Sequence, residues 1–176
     1  RDRSVSRGLG DVYKRQPYVI CNGYMYDVLQ GISDHAKLQI VLNAVEKGSN
    51  PWGCTDYLNQ KKKILETGAD VYELMNDYPV HTKAVLINDR LSVVGSYNLD
   101  MRSTYLDTEL MLVIDSEKLS QQIHETESDY MEKSKEVLAN GQETEGAKYQ
   151  GKVLNRKKKL YYGVLRIIIR PLRQLL

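Results

Sequence analysis

From Pro17 onward the apolar positions switch between short continuous runs and helical spacing. Tyr18-Val19-Ile20-Cys21 reads as a short buried strand and Asn22-Gly23 as a turn. Met25, Val28, Leu29 and Ile32 recur at the spacing of a helix face, and Leu38 to Leu42 is a second apolar strand. Residues 48–53 are loop chemistry throughout, Asp56 to Thr67 reads as a helix ended by Gly68, and Val71 to Leu74 is a third strand. Strands separated by helices of about 10–15 residues imply parallel βαβ units. A hairpin follows, with Lys83–Ile87 and Leu91–Gly95 joined by a turn at Asn88-Asp89-Arg90. Thr108 to Ile114 reads as a further strand. A long helix capped by Asp115 or Ser116 carries Leu119, Ile123, Tyr130, Met131 and Leu138 on one side and stops at Asn140-Gly141. The class is α/β, with strands at the core.

The ends of the chain do not share this patterning. Residues 1–16 show no period and resemble the translation of a sequencing adaptor, so the native part is expected to begin near Pro17 and the segment stays outside the fold reading. Residues 17–140 form the expected domain, 141–152 a polar linker and 153–176 a basic tail. Charge sharpens that division. The 26 residues from 151 hold eight basic groups and no acid, the first 16 carry a net +3, and residues 17–150 carry 12 basic and 21 acidic groups. An acidic body is a poor surface for nucleic acid, whose binding needs cations around the site. Cys21 and Cys54 lie in unlike contexts without metal or redox spacing and read as buried thiols. No run of about 18 apolar residues is present.

The candidate chemistry sits on the hairpin. His81 and Lys83 are two apart on a predicted strand, so their side chains share a face. Fourteen residues after His81, Gly95-Ser96-Tyr97-Asn98 ends the returning strand. Glycine permits close backbone approach, while the serine hydroxyl and asparagine amide can donate to phosphate oxygens. Glu109, on the adjoining strand, could accept from the far nitrogen of His81 and fix its tautomer. Asp100 and Arg102 either line this site or form an ion pair at a helix start. His35 and His124 have no partner at a useful spacing and read as surface residues, and the thirteen tyrosines as core and rim.

H-x-K followed by G-S-x-N resembles the signature motif of the phospholipase D superfamily. The continuation Asn98-Leu99-Asp100-Met101-Arg102-Ser103, with Glu109, resembles the second such motif of bacterial cardiolipin synthases. The resemblance runs over residues 17–140 and is most specific over 81–114. It implies a mixed β-sheet flanked by helices, one catalytic half-domain of a two-motif enzyme, and phosphoryl transfer without metal or other cofactor. One histidine would form a phosphohistidine while the other protonates the leaving alcohol. Carried over, His81 is the catalytic histidine, in the general-acid role; Lys83, Ser96 and Asn98 hold the phosphate; Glu109 orients His81; and Gly95 supports the loop. The family has Asp seven residues after the histidine. Here that position is Asn88, with Asp89 next to it, and both stand where a hairpin turn would use them for the fold.

Only one such motif is present, so its partner is expected from a missing N-terminal half or from a second copy of the chain. Three functions follow: a phosphatidyltransferase of cardiolipin-synthase type with phosphatidylglycerol as substrate, a hydrolase of the same superfamily, or a non-catalytic lipid-binding remnant. In the tail, Leu160, Val164, Ile167 and Ile168 can share a helical face while Arg166, Arg170 and Arg173 lie elsewhere and Pro171 breaks the run. A segment of that kind suits either an anionic membrane surface or a docking face on the missing half. The expected location is peripheral on the cytoplasmic membrane.

Overall fold

The computed structural model describes residues 10–176. Eight strands form one mixed sheet: β1 (Asp11–Arg15), β2 (Lys37–Asn43), β3 (Asp70–Leu74), β4 (Lys83–Ile87), β5 (Leu91–Gly95), β6 (Met111–Asp115), β7 (Ser134–Val137) and β8 (Glu143–Glu145). Their order across the sheet is β6-β5-β4-β1-β2-β3-β7-β8. β1, β2 and β3 run parallel, Val12 opposite Leu38 and Ile40 opposite Val71, and every other pairing is antiparallel. The expected mixed α/β sheet flanked by helices is the one observed.

The helices are α1 (Gly23–Ser33), α2 (Pro51–Glu66), α3 (Met101–Tyr105), α4 (Glu117–Glu132) and α5 (Arg156–Ile168), followed by a 3-10 turn over Arg170–Leu175. The larger core lies on one sheet face, where Leu38, Ile40 and Leu42 of β2 meet Met25 and Leu29 of α1 and Tyr57 and Ile64 of α2. The alternate β2 residue Val41 points to the other face with Tyr72 and Leu74, packed by Tyr130 and Met131 from α4. β2 is therefore buried on both sides, which explains its continuous apolar run. Cys21 and Cys54 are free and buried in the larger core.

Several elements depart from the sequence reading. Asp11–Arg15, set aside with the first sixteen residues, is the strand between β4 and β2 at the middle of the sheet, while residues 1–9 lie outside the described residues. Its pattern was hidden because Lys14 and Arg15 occupy buried positions. Lys14 Nζ stands 5.1 Å from the Tyr97 ring centroid, and the Arg15 guanidinium lies 5.3 Å from that of Tyr130 and 3.4 Å from Glu127. Long basic side chains bury their stems in this way, so a strand reader sees charge where the fold has core. Val19–Cys21 is buried and Tyr18 half-buried, but the segment is not a strand: Ile20 N donates to Leu99 O at 2.9 Å and Cys21 N to Gln60 Oε1 at 2.8 Å.

α2 starts at Pro51, inside the expected loop, because Asn50 caps it through Trp52 N and Gly53 N and proline suits a first helical turn. The strand expected from Thr108 begins at Met111. The helix expected to reach Leu138 ends at Glu132, and the chain turns back as β7 against β3. Asn140-Gly141 is the turn of the β7–β8 hairpin, with Gly141 at φ +83, so an expected helix stop and polar linker are an edge hairpin instead. The tail is the docked helix α5, with Tyr162 and Leu165 buried.

Candidate active site

The parallel strands β1, β2 and β3 end on one rim of the sheet, where β4 begins and β5 finishes. Carboxyl ends of parallel strands leave backbone groups and loops free to hold ligands. His81 enters this rim from Val80, and Val80 is held by a reciprocal pair of hydrogen bonds. Its amide donates to Asn43 Oδ1 at 2.8 Å, and Asn43 Nδ2 donates to its carbonyl at 2.8 Å. His81 itself is exposed and Lys83, the first residue of β4, is buried. Lys83 Nζ lies 2.7 Å from His81 Nδ1. Partial desolvation, then the Lys83 cation, holds the His81 imidazole below its usual value of 6.5. Burial also lowers Lys83, against the opposing pull of Glu109 and Asp100.

Opposite Lys83 in the β4–β5 register stands Gly95. A side chain there would run into the Leu110 carbonyl, so the glycine serves the close approach of the chain entering β6. Ser96 accepts from Leu110 N at 3.0 Å through its hydroxyl oxygen and donates its proton to Glu109. Asn98 N donates to Ser103 Oγ at 3.3 Å, while Asn98 Oδ1 is buried with no hydrogen-bond partner. The following residue is pinned from β1, with Leu99 N donating to Gln16 Oε1 at 3.0 Å.

Glu109 does not take the place expected for it. It lies in the loop before β6, within reach of the Ser96 and Ser103 hydroxyls, and among the described residues no hydrogen bond joins it to His81. Hydrogen bonds from Ser103 and Ser96, then the Lys83 charge, hold its carboxyl below the usual range. The ring nitrogen that would have needed an orienting carboxylate is met by Lys83 instead. Asp100 is the buried N-cap of α3, accepting from Ser103 N at 2.7 Å, and Arg102 pairs with Asp107 at 2.9 Å. His35 is exposed with Nδ1 on the Gly31 carbonyl at 2.9 Å, and His124 packs half-buried and edge-on against Tyr13.

Asn88 stands at the opposite end of the hairpin, in the left-handed region at φ +53, where its Oδ1 accepts from Gly10 N at 2.9 Å. Five residues of strand put it roughly 16 Å from Lys83. Asp89 is exposed in the same turn. Sequence reasoning missed Asn43, the last residue of β2, and Gln16, the residue after β1, which tie down both arms of the motif. A polar residue closing an otherwise apolar strand was the available signal for Asn43.

A family model described as "Cardiolipin synthase, PLD-like domain" matches residues 16–129. The chain belongs to this family. Cardiolipin synthase A of Proteus mirabilis is 37% identical over 94 residues, covering 53% of this chain and 19% of that protein. Cardiolipin synthase A of Serratia proteamaculans is 32% identical over 105 residues, 60% of this chain and 20% of that protein. This PLD-like chain thus spans about a fifth of the length of the curated relatives it matches. Among solved structures, phosphatidylserine synthase of Haemophilus influenzae superposes with a TM-score of 0.68 at 14% identity, over 96% of this chain and 42% of that one. The phospholipase D family member Nuc of Salmonella typhimurium gives 0.61 at 15% identity, over 73% of this chain and 82% of that one. At those identities the likeness is one of fold, and it agrees with the sheet described above.

Proposed function

We propose that this chain is the part of a cardiolipin-synthase-type phosphatidyltransferase that carries one of two histidine-lysine motifs, the second of the pair. Its substrates are phospholipid phosphodiesters, phosphatidylglycerol first among them, met at an anionic membrane with residues 153–176 toward the lipid. The observation that carries this reading is the Lys83 ammonium 2.7 Å from His81 Nδ1, on a rim that also gathers Ser96 and Asn98. Family membership agrees with it.

In this reading desolvation, then the neighbouring Lys83 cation, hold the His81 pKa below its usual value and disfavour the imidazolium. A phosphodiester arriving at Lys83, Ser96 and Asn98 offsets that cation. His81 then gains a proton and stands ready as general acid. The imidazole of the other motif, from the N-terminal half or a second copy, attacks phosphorus. A P–N bond forms as the P–O bond to the leaving glycerol breaks, and the glycerol oxygen takes the His81 proton. His81, neutral again, accepts the proton of the incoming hydroxyl as that oxygen displaces the phosphohistidine nitrogen. Lys83 and Asn98 stabilise charge on the phosphoryl oxygens throughout.

The test is an assay of the full-length protein with labelled phosphatidylglycerol. Cardiolipin plus glycerol is the expected product pair. Phosphatidic acid alone would make the enzyme a hydrolase, with water in the second step. Unchanged turnover in His81→Ala would remove His81 from the chemistry.

A further inference from the structure

The tail uses one apolar face on the protein and leaves another bare. Tyr162 and Leu165 of α5 and Ile169 just beyond it are buried, at positions three and four apart that share a helix face. That face is fastened to α2. Arg166 Nε donates to Asn59 Oδ1 at 3.0 Å, and from the following turn Arg173 places two nitrogens 2.6 and 2.8 Å from the fully buried Asp56 carboxylate. Leu160, Val164 and Ile167, also at helical spacing, look away from the body at 72%, 51% and 71% exposure. Arg156, Lys157, Lys159 and Arg170 stand on the same helix and turn, and none of them is in a salt bridge among the described residues. Residues 151–176 contain no acid to offset them.

A contiguous apolar strip of this kind on a water-facing helix marks an interaction surface. The uncompensated cations beside it select an anionic occupant. A bilayer with anionic headgroups answers both demands, with an acyl boundary for the strip and phosphates for the cations. We propose that α5 seats this protein on an anionic bilayer, with Leu160, Val164 and Ile167 entering the headgroup–acyl boundary. The proposal rests on the phospholipid reading of the site and gives that reading a geometry. Arg102 N in α3 donates to the Leu176 carbonyl at 2.7 Å, so the seated tail is joined directly to the helix that follows Asn98. The Arg173–Asp56 pair fixes the same turn to α2. The seat is therefore coupled through these contacts to α2 and α3 of the body.

The chain is mixed with vesicles of phosphatidylcholine alone and of phosphatidylcholine containing phosphatidylglycerol, and floated. Binding is expected to the second and not the first. L160E/V164E/I167E should weaken it at least tenfold while leaving the melting temperature in place, since these side chains touch no core. Replacing Arg156, Lys157 and Lys159 by Gln should cost about a hundredfold, at about fivefold per charge near an anionic surface. Equal binding to both vesicles, or unchanged binding by the triple Glu variant, overturns the proposal. A dimer in size-exclusion chromatography that the triple Glu variant abolishes would overturn it too, by assigning the strip to a second copy. Turnover by the full-length enzyme separates this result from the chemistry. Loss on vesicles with retention on detergent-dispersed phosphatidylglycerol supports the seat. Vesicle binding without any turnover leaves the seat standing and fails the catalytic reading.

Discussion

The β4–β5 hairpin is polar at both of its ends, and the two ends do different work. At the open end, Lys83 faces Gly95 across the ladder, and His81, Ser96 and Asn98 gather around them on the strand-end rim. At the closed end, Asn88, Asp89 and Arg90 turn the chain, with Asn88 in the left-handed region and its amide oxygen on Gly10 N. Both ends satisfy backbone groups. Only the open end keeps polar atoms in reserve: Asn98 Oδ1 is buried without a partner. An unpaired buried acceptor costs free energy, so this end of the hairpin is the less completely satisfied of the two. At the closed end the Asn88 amide oxygen is engaged, accepting from Gly10 N and Asp11 N.

The hairpin can be taken apart to test that contrast. The largest effect is expected at the open end: His81→Ala in the full-length protein should lower turnover roughly a hundred- to ten-thousandfold, the range for a positioned acid–base group, with little change in melting temperature. Next, Lys83→Ala should lower turnover and also move His81 upward. The Lys83 cation now disfavours the imidazolium, so removing it raises the His81 pKa from below 6.5, and the protonated fraction at neutral pH increases. The histidine proton resonances followed by NMR against pH would show this, and a downward shift would contradict it. Asn43→Ala breaks both hydrogen bonds to Val80 and leaves buried groups unpaired, with an expected loss of about 1–3 kcal/mol in chemical unfolding and a fall in kcat larger than any change in KM. At the closed end, Asn88→Ala should cost about 1 kcal/mol, because alanine is strained at φ +53 and cannot accept from Gly10. Asn88→Asp should be within about 0.5 kcal/mol of the parent. Both Asn88 variants should retain turnover within twofold, and a tenfold gain from Asn88→Asp would mean that the turn end does take part in the chemistry.

The same contrast explains which parts could be read in advance. β4 and β5 were bounded to the residue because apolar alternation and an Asn-Asp turn are local signals that agree with each other. β2 and β3 are nearly as clear, being rich in apolar residues and buried on both faces. β1 was not, because its buried positions are lysine and arginine held by Tyr97, Tyr130 and Glu127, residues more than eighty positions away. β7 was absorbed into a helix because its residues continue the preceding polar pattern, and only pairing with β3 makes them a strand. In the site, the residue types and spacing of His81, Lys83, Ser96 and Asn98 were visible, while the partner of Glu109 was not. Its carboxylate can reach several donors from one loop, and the packing of that loop turns it to the Ser96 and Ser103 hydroxyls.

The sequence by itself determined the chemistry on offer: one histidine, one lysine, a serine and an asparagine at fixed intervals along a hairpin, and a basic tail with an apolar period. Those features depend on near neighbours in the chain, so they survive in a one-dimensional reading. The tertiary structure alone decided that Lys83 meets His81 where Glu109 was expected, that Asn43 and Gln16 pin the two arms of the motif, and which face of the tail is docked and which is bare. Each of these turns on contacts between segments tens of residues apart, where several partners are chemically equivalent and only packing in three dimensions chooses among them.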